Sequence, residues 1–189
     1  MPGYRYRQMR VICLFLLVLA FAFPGRAQER PSNEEFVNAV FPAMGYDLPA
    51  YYLVMGADTC RFEKFDYDEW VKYHLTEEVP LTTLNELAYK VHLARIDRYW
   101  DQGKLKKAVT VTAARADSLL SSRSGDSLKT VFSFSQPQFS DDGVYAVIDI
   151  NYKYCLTCGA GYTFIFRRNK DAWVRIGFKK NWGGMNARL

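Results

Sequence analysis

Apolar positions along the chain change their spacing once, near residue 130, from a helical repeat to strict alternation, and that change organises the expected fold. In the first half, Phe36, Val37, Val40, Phe41 and Met44 fall on one helical face. Ser32 or Asn33 is placed to cap this helix, Glu34 and Glu35 sit beside the positive end of its dipole, and Gly45 ends it. Pro49 precedes the run Tyr51-Tyr52-Leu53-Val54-Met55, which predicts a short strand, and Asp66 to Leu75 carries a shorter helical pattern with Trp70 and Tyr73 on one side. The longest pattern predicts a helix over Thr82 to Gln102. It opens on the capping-box sequence Thr83-Leu84-Asn85-Glu86, carries the stripe Leu84, Leu87, Ala88, Val91 and Ala94, and widens through Leu93, Ile96 and Trp100 to Gly103. Leu105 to Thr112 divides between helix and strand signals. Ala113 to Ser121 predicts a further helix with Leu119 and Leu120 inward, and the polar run Ser121 to Ser127 closes this half.

Beyond it the period is two. Val131 to Phe139 is interrupted by Pro137, so it reads as an edge strand or one that bends there. After the turn signal Ser140-Asp141-Asp142-Gly143, the positions Val144, Ala146, Ile148, Ile150 and Tyr152 share one face, and Asp149, Asn151 and Lys153 point to the other. Cys155 to Gly161 reads as a hairpin tip. Tyr162 to Arg168 returns with Tyr162, Phe164 and Phe166 aligned, and Ala172 to Lys180 follows with Val174, Ile176 and Phe178 inward. The expectation is an α+β domain: a helical part over about 33–121 packed on a C-terminal antiparallel β-meander of about four strands over about 130–182.

The start of the chain changes the charge picture. Arg5, Arg7 and Arg10 precede the 13-residue apolar run Val11 to Phe23, then Pro24 and the small-residue site Gly25-Arg26-Ala27, the layout of a secretory signal peptide. The run is short of the roughly 20 residues a membrane span needs. Cleavage is expected after Ala27, and Gln28 in place of a cysteine argues against lipoprotein processing. Residues 28–189 are then a single secreted or periplasmic domain with no stable membrane span. Of the formal +5, four arginines belong to the leader, leaving 21 basic against 20 acidic residues, net +1. A nucleic-acid footprint is therefore not expected. Charge is still segregated: Asp58 to Glu78 has seven acidic and three basic residues, while Arg167 to Lys180 has six basic and one acidic.

Cys155-Leu156-Thr157-Cys158 admits three readings. A redox centre needs the pair at the start of a helix, where the dipole stabilises a thiolate, yet this pair runs into Gly159-Ala160-Gly161 and a strand. A structural zinc site needs four ligands, and only Cys60, His74 and His92 stand beside the pair after the leader. In an oxidising compartment a local Cys155–Cys158 disulfide is the favoured outcome, with Cys60 as the alternative partner of either cysteine. No metal and no cofactor is expected.

Ser135-x-Pro137-x-Phe139-Ser140-x-Asp142-Gly143-x-Tyr145-Ala146, Cys155-x-x-Cys158-Gly159-x-Gly161, the Trp173 and Trp182 pair, and Pro80-Leu81-x-x-Leu84-Asn85-Glu86-Leu87 together resemble a family of uncharacterised exported bacterial proteins with a C-terminal Cys/Gly-rich β-hairpin. The resemblance implies a fold and export, and no activity.

No catalytic motif stands out. His74 with Asp66, Asp68, Glu77 or Glu78, and His92 with Asp97, are the candidate acid–base pairs, although a single His in a helical stretch is more often structural. Neither a nucleophile elbow nor His-Glu-x-x-His is present. The reading that follows is a non-enzymatic binding or structural domain with a protein or surface-polymer partner. Tyr145, Tyr154, Tyr162 and Trp173 are candidates to meet that partner, although ordinary packing accounts for the same residues. The alternative is a small-ligand or hydrolytic pocket of the NTF2-like kind, formed where a curved sheet meets a long helix.

Overall fold

The computed structural model describes residues 30–46, 48–57, 79–94, 98–121 and 130–183. The helix expected over 66–75, with Cys60, His74 and Asp97, lies outside them. Helix α1 (Asn33–Ala43) starts as its sequence predicts. Ser32 Oγ accepts the Glu35 N–H at 3.2 Å, and Glu35 Oε2 accepts the Ser32 N–H at 2.7 Å, a reciprocal capping box. Those hydrogen bonds from Ser32 hold the Glu35 carboxyl below its usual range. Gly45, at φ 88°, takes the left-handed conformation that closes the helix. Strand β1 (Tyr51–Val54) follows, then α2 (Leu81–Leu93), a 3-10 turn at Gln102–Lys104, β2 (Ala108–Val111) and α3 (Ala113–Ser121). The remaining elements are strands: β3 (Val131–Phe134), β4 (Gln138–Phe139), β5 (Tyr145–Lys153), β6 (Gly159–Asn169) and β7 (Ala172–Gly183).

The α+β class holds, but the sheet is larger than a four-stranded meander and is mixed. Seven strands join in one sheet ordered β2-β1-β3-β5-β6-β7, with β4 paired to β5. Strand β1 runs parallel to both β2 and β3, whereas β3, β5, β6 and β7 pair antiparallel. Of the three extra strands, one arises because the run Val131 to Phe139 splits at Pro137 into β3 and β4; the other two, β1 and β2, are four residues each and come from the mainly helical half, at the short strand expected over Tyr51 to Met55 and in the divided run Leu105 to Thr112. Their pairing joins distant segments, so no local periodicity announces it. Strand β3 is consequently interior, between β1 and β5. Pro137 falls in the bend between β3 and β4, where no ladder bond requires its missing N–H.

Helix α2 stops at Leu93, nine residues before the predicted end, and begins after Pro80 without a side-chain cap. The capping-box Glu86 serves elsewhere: its carboxylate accepts Lys90 Nζ at 2.6 Å and the Asp141 N–H at 2.6 Å. Trp100 explains the early stop. Leu84, Leu87 and Val91 pack with Val147 and Ile165 on one face of the sheet, while Trp100 belongs to the cluster on the opposite face. One straight helix cannot serve both. The chain instead crosses beside β1, where Trp100 N–H donates to Met55 O at 3.0 Å and Ala57 N–H to Arg98 O at 3.1 Å.

The two faces follow the pleat of β5. Ala146, Ile148, Ile150 and Tyr152 join α1 in the larger cluster, where Phe36 meets Phe139, Phe166 and Trp173 edge-on at 5.1, 5.7 and 5.0 Å. On the other face Val147 packs under α2, while Val131 and Val111 pack under α3 with Ala116 and Leu119. Strand β7 departs from its predicted phase: Val174 and Phe178 are 43% and 42% exposed, and Trp173 is the inward residue. The β6–β7 register shifts between Ile165 and Phe166 and again between Gly161 and Tyr162. Each β-bulge inverts which side chains face in, so Trp173 and Phe178 end on the same face although their numbers differ in parity.

Candidate functional site

The face of the sheet opposite α1 is covered by α2 and α3, and between them it is polar. Strand β5 places Asp149 and Asn151 there at 1% and 8% exposure. Thr163, directly across on β6, donates its hydroxyl to Asp149 Oδ1 at 2.6 Å and accepts Asn181 Nδ2 at 2.9 Å. Ser135 Oγ accepts the Asp149 N–H at 2.9 Å, and the Ser135 N–H donates to Asp149 O at 2.9 Å. Asp149, Thr163 and Ser135 are each 1% exposed, so this row is sealed from solvent and its work is to fix strand register.

One step toward the strand ends the row opens. Trp182 Nε1–H donates to Asn151 Oδ1 at 2.8 Å, crossing over Gly161. A Cβ on Gly161 would lie 2.1 Å from each of those two atoms, and a Cβ on Gly159 would lie 2.1 Å from the Tyr152 carbonyl oxygen. The two glycines therefore belong to β6 and not to the hairpin tip, and both are required by close approach. The tip itself is shorter. Cys155 and Cys158 form a disulfide with Cα atoms 4.9 Å apart, and Tyr154 N–H donates to Cys158 O at 3.1 Å. The pair is thus a covalent clamp on the β5–β6 connection.

A groove opens beside this clamp in two lobes. One, of about 390 Å³, lies between the tip residues Leu156 to Cys158 and Trp182. The other, of about 410 Å³, lies under α3 against Val54, Ala116, Asp117, Leu120 and Val131. Ser133, Asn151 and Lys153 line both, so the paired residues of β3 and β5 form a common floor. A third cleft, of about 340 Å³, opens at the start of α1. Part of its polar lining is already engaged: Glu34 accepts the Asp101 N–H at 3.2 Å, and Lys104 Nζ sits 3.7 Å from Asp101.

Of the candidate site residues read from sequence, Cys158 is the one among the described residues that lines the groove. His92 is exposed in the last turn of α2 and lines none of the three clefts. Its proposed partner Asp97 and the pair around His74 fall outside the described residues. Among the described residues no three His, Cys, Asp or Glu side chains gather to hold a metal. Tyr162 and Trp173, weighed as partner contacts against ordinary packing, are 3% and 8% exposed, and Tyr145 and Tyr154 pack partly buried against the two clusters. The sheet presents packing where a partner surface had been considered.

Burial of the tyrosines on the α1 face has a chemical consequence. Loss of solvent pushes the Tyr51 hydroxyl up to about 12. It also raises Tyr46 and Tyr152, each reinforced by the neighbouring Tyr162. Those groups stay protonated through the physiological range.

The groove residues Ser133 and Asp117 were not singled out from sequence, and Trp182 entered only through the resemblance. The single sequence signal for the region was the polar second face of β5, Asp149-x-Asn151-x-Lys153. Among the described residues no helix is long and apolar enough to cross a membrane. Comparison with protein-family models, with curated proteins and with solved structures finds no match for this chain.

Proposed function

We propose that this chain is an exported, non-enzymatic binding domain that holds a small ligand in the groove floored by Ser133, Asn151 and Lys153. The observation that carries the reading is the groove itself. Polar groups are aimed into it from a floor whose orientation is locked by the Trp182–Asn151 hydrogen bond and by the disulfide beside it. A preorganised floor reduces the ordering cost of binding. Hydrolysis in the same groove would call for an acid–base pair, and His92, the candidate histidine among the described residues, sits on α2 and does not line it. The resemblance to exported proteins with a Cys/Gly-rich hairpin agrees with a binding role outside the cytoplasm and assigns no chemistry. Export itself rests on the leader over 1–27, and an intact mass beginning at Gln28 is its check.

The test is a ligand screen by thermal shift against the protein and against Ala116→Trp, which fills the lobe under α3. Compounds that raise the Tm of the protein and not of the variant, and that are recovered chemically unchanged, support the reading. Compounds that stabilise both equally, or that are converted, refute it.

A further inference from the structure

Two opposite charges line the lobe under α3, and neither has a side-chain partner among the described residues. Lys153 ends β5 and Asp117 lies on α3, and both side chains are exposed. Among the described residues no ion pair or side-chain hydrogen bond engages the Lys153 ammonium or the Asp117 carboxylate; Ser121 Oγ donates only to the Asp117 backbone carbonyl. The two do not pair with each other across the lobe. Between them lie the Ser133 hydroxyl and the Asn151 amide, and behind them Val54, Ala116, Leu120 and Val131 form an apolar wall. A purely anionic ligand would meet Asp117, and a purely cationic one would meet Lys153. A dipolar ligand satisfies both.

We propose that this lobe takes a short zwitterionic ligand, an apolar α-amino acid or dipeptide, with its carboxylate at Lys153, its ammonium at Asp117 and its side chain on the Val54–Ala116–Leu120–Val131 wall. The assignment rests on the binding role proposed above and names its ligand class. At about 410 Å³ the lobe is at the small end of ligand sites, which suits one or two residues and not a longer peptide. Because both charges are exposed, each contact is modest, and its loss weakens binding about three- to fivefold.

The experiment is an NMR titration of the ¹⁵N-labelled protein, reading the Asn151 side-chain amide and the Trp182 indole N–H. Four probes share an isobutyl group and differ in charge: leucyl-leucine (zwitterion), N-acetyl-leucine (anion), leucinamide (cation) and isoamyl alcohol (neutral). Leucyl-leucine is expected to bind tightest. Lys153→Met should weaken leucyl-leucine and N-acetyl-leucine and leave leucinamide unchanged, while Asp117→Asn should weaken leucyl-leucine and leucinamide and leave N-acetyl-leucine unchanged. Both substitutions are on exposed side chains, so folding is not at risk. Equal binding of all four probes, or indifference to both substitutions, overturns the zwitterion assignment but leaves the groove as a binding site. Silence of both signals with every probe also overturns it, and the thermal-shift screen then judges the broader reading separately.

Discussion

Replacing Gly161 by alanine tests the part of the structure on which the groove floor depends. Gly161 lies on β6 between Asn151 of β5 and Trp182 of β7. An added methyl carbon would sit 2.1 Å from both Asn151 Oδ1 and Trp182 Nε1, on the 2.8 Å hydrogen bond that joins them. Both atoms belong to side chains, so they can turn aside, but only by breaking that bond. Losing it costs about 1 kcal/mol, and leaving the nearly buried Asn151 amide short of a partner costs about 1–2 kcal/mol more. Displacing the Trp182 ring adds about 1 kcal/mol of packing strain. Against this, alanine restricts the unfolded chain and stabilises by about 0.4–1 kcal/mol. The net is a loss of about 2–3.5 kcal/mol, or roughly 4–14 °C in Tm for a domain of this size. Thermal and urea unfolding followed by far-ultraviolet circular dichroism measure it, with the indole signal of Trp182 reporting the broken bond. Gly159→Ala is the companion variant: its methyl would lie 2.1 Å from the backbone oxygen of Tyr152, which cannot rotate away, so its loss should be larger. An unchanged or raised Tm for Gly161→Ala, or a smaller loss for Gly159→Ala, would refute the steric account.

Lys90 should act as a staple between α2 and the β4–β5 turn, since its ammonium reaches Glu86 at 2.6 Å, Asp141 at 2.6 Å and the Phe139 carbonyl at 2.8 Å. With a side chain 23% exposed, Lys90→Met is expected to cost about 1–2 kcal/mol in urea unfolding at low salt, and a neutral result would show the cluster to be ornamental. Removing the disulfide as Cys155→Ser/Cys158→Ser closes off only a four-residue loop, so chain entropy predicts a loss near about 2 kcal/mol, and a much larger loss would mean that the clamp holds more than the tip. Stability should be flat up to about pH 10 and then fall. The unfolded tyrosines ionise there while Tyr51, pushed up to about 12, stays neutral in the fold, so the unfolded state releases protons first; Tyr51 alone accounts for up to about 2 kcal/mol by pH 12. Tyr51→Phe should flatten the alkaline limb, and an unchanged limb would remove Tyr51 as its cause.

What could be read from sequence was what local physics decides. The cap of α1 at Ser32, the bounds of α3, the turn at Ser140–Gly143 and the inward set of β5 all depend on neighbours within a few residues, and they appear as predicted, although the capping box expected at Thr83–Glu86 forms instead at Ser32–Glu35. The disulfide was legible because a strand follows Cys158, which left the pair no helix to activate it. The misreadings share a different cause. Trp100 ends α2 early because it is needed across the sheet, and the bulge between Ile165 and Phe166 in the β6–β7 register puts Trp173, and not Val174, on the face that Phe178 shares. The groove was invisible for the same reason: Asp117, Ser133, Lys153 and Trp182 come from four elements, and only the sheet order brings them to one place.

The placement of α1 bears on how such a chain can be made. Phe36, near its start, finishes its packing against Phe166 and Trp173, and β1 borders Val131 and Phe132 of β3. A polypeptide emerging N-terminus first therefore carries an apolar helix and a short strand whose docking sites do not yet exist, and it stays that way until β7 has been synthesised. Docking of α1 must then wait for β7, and a factor that keeps the nascent protein from aggregating would act on this early segment. Strand β7 is the element that lets α1 settle.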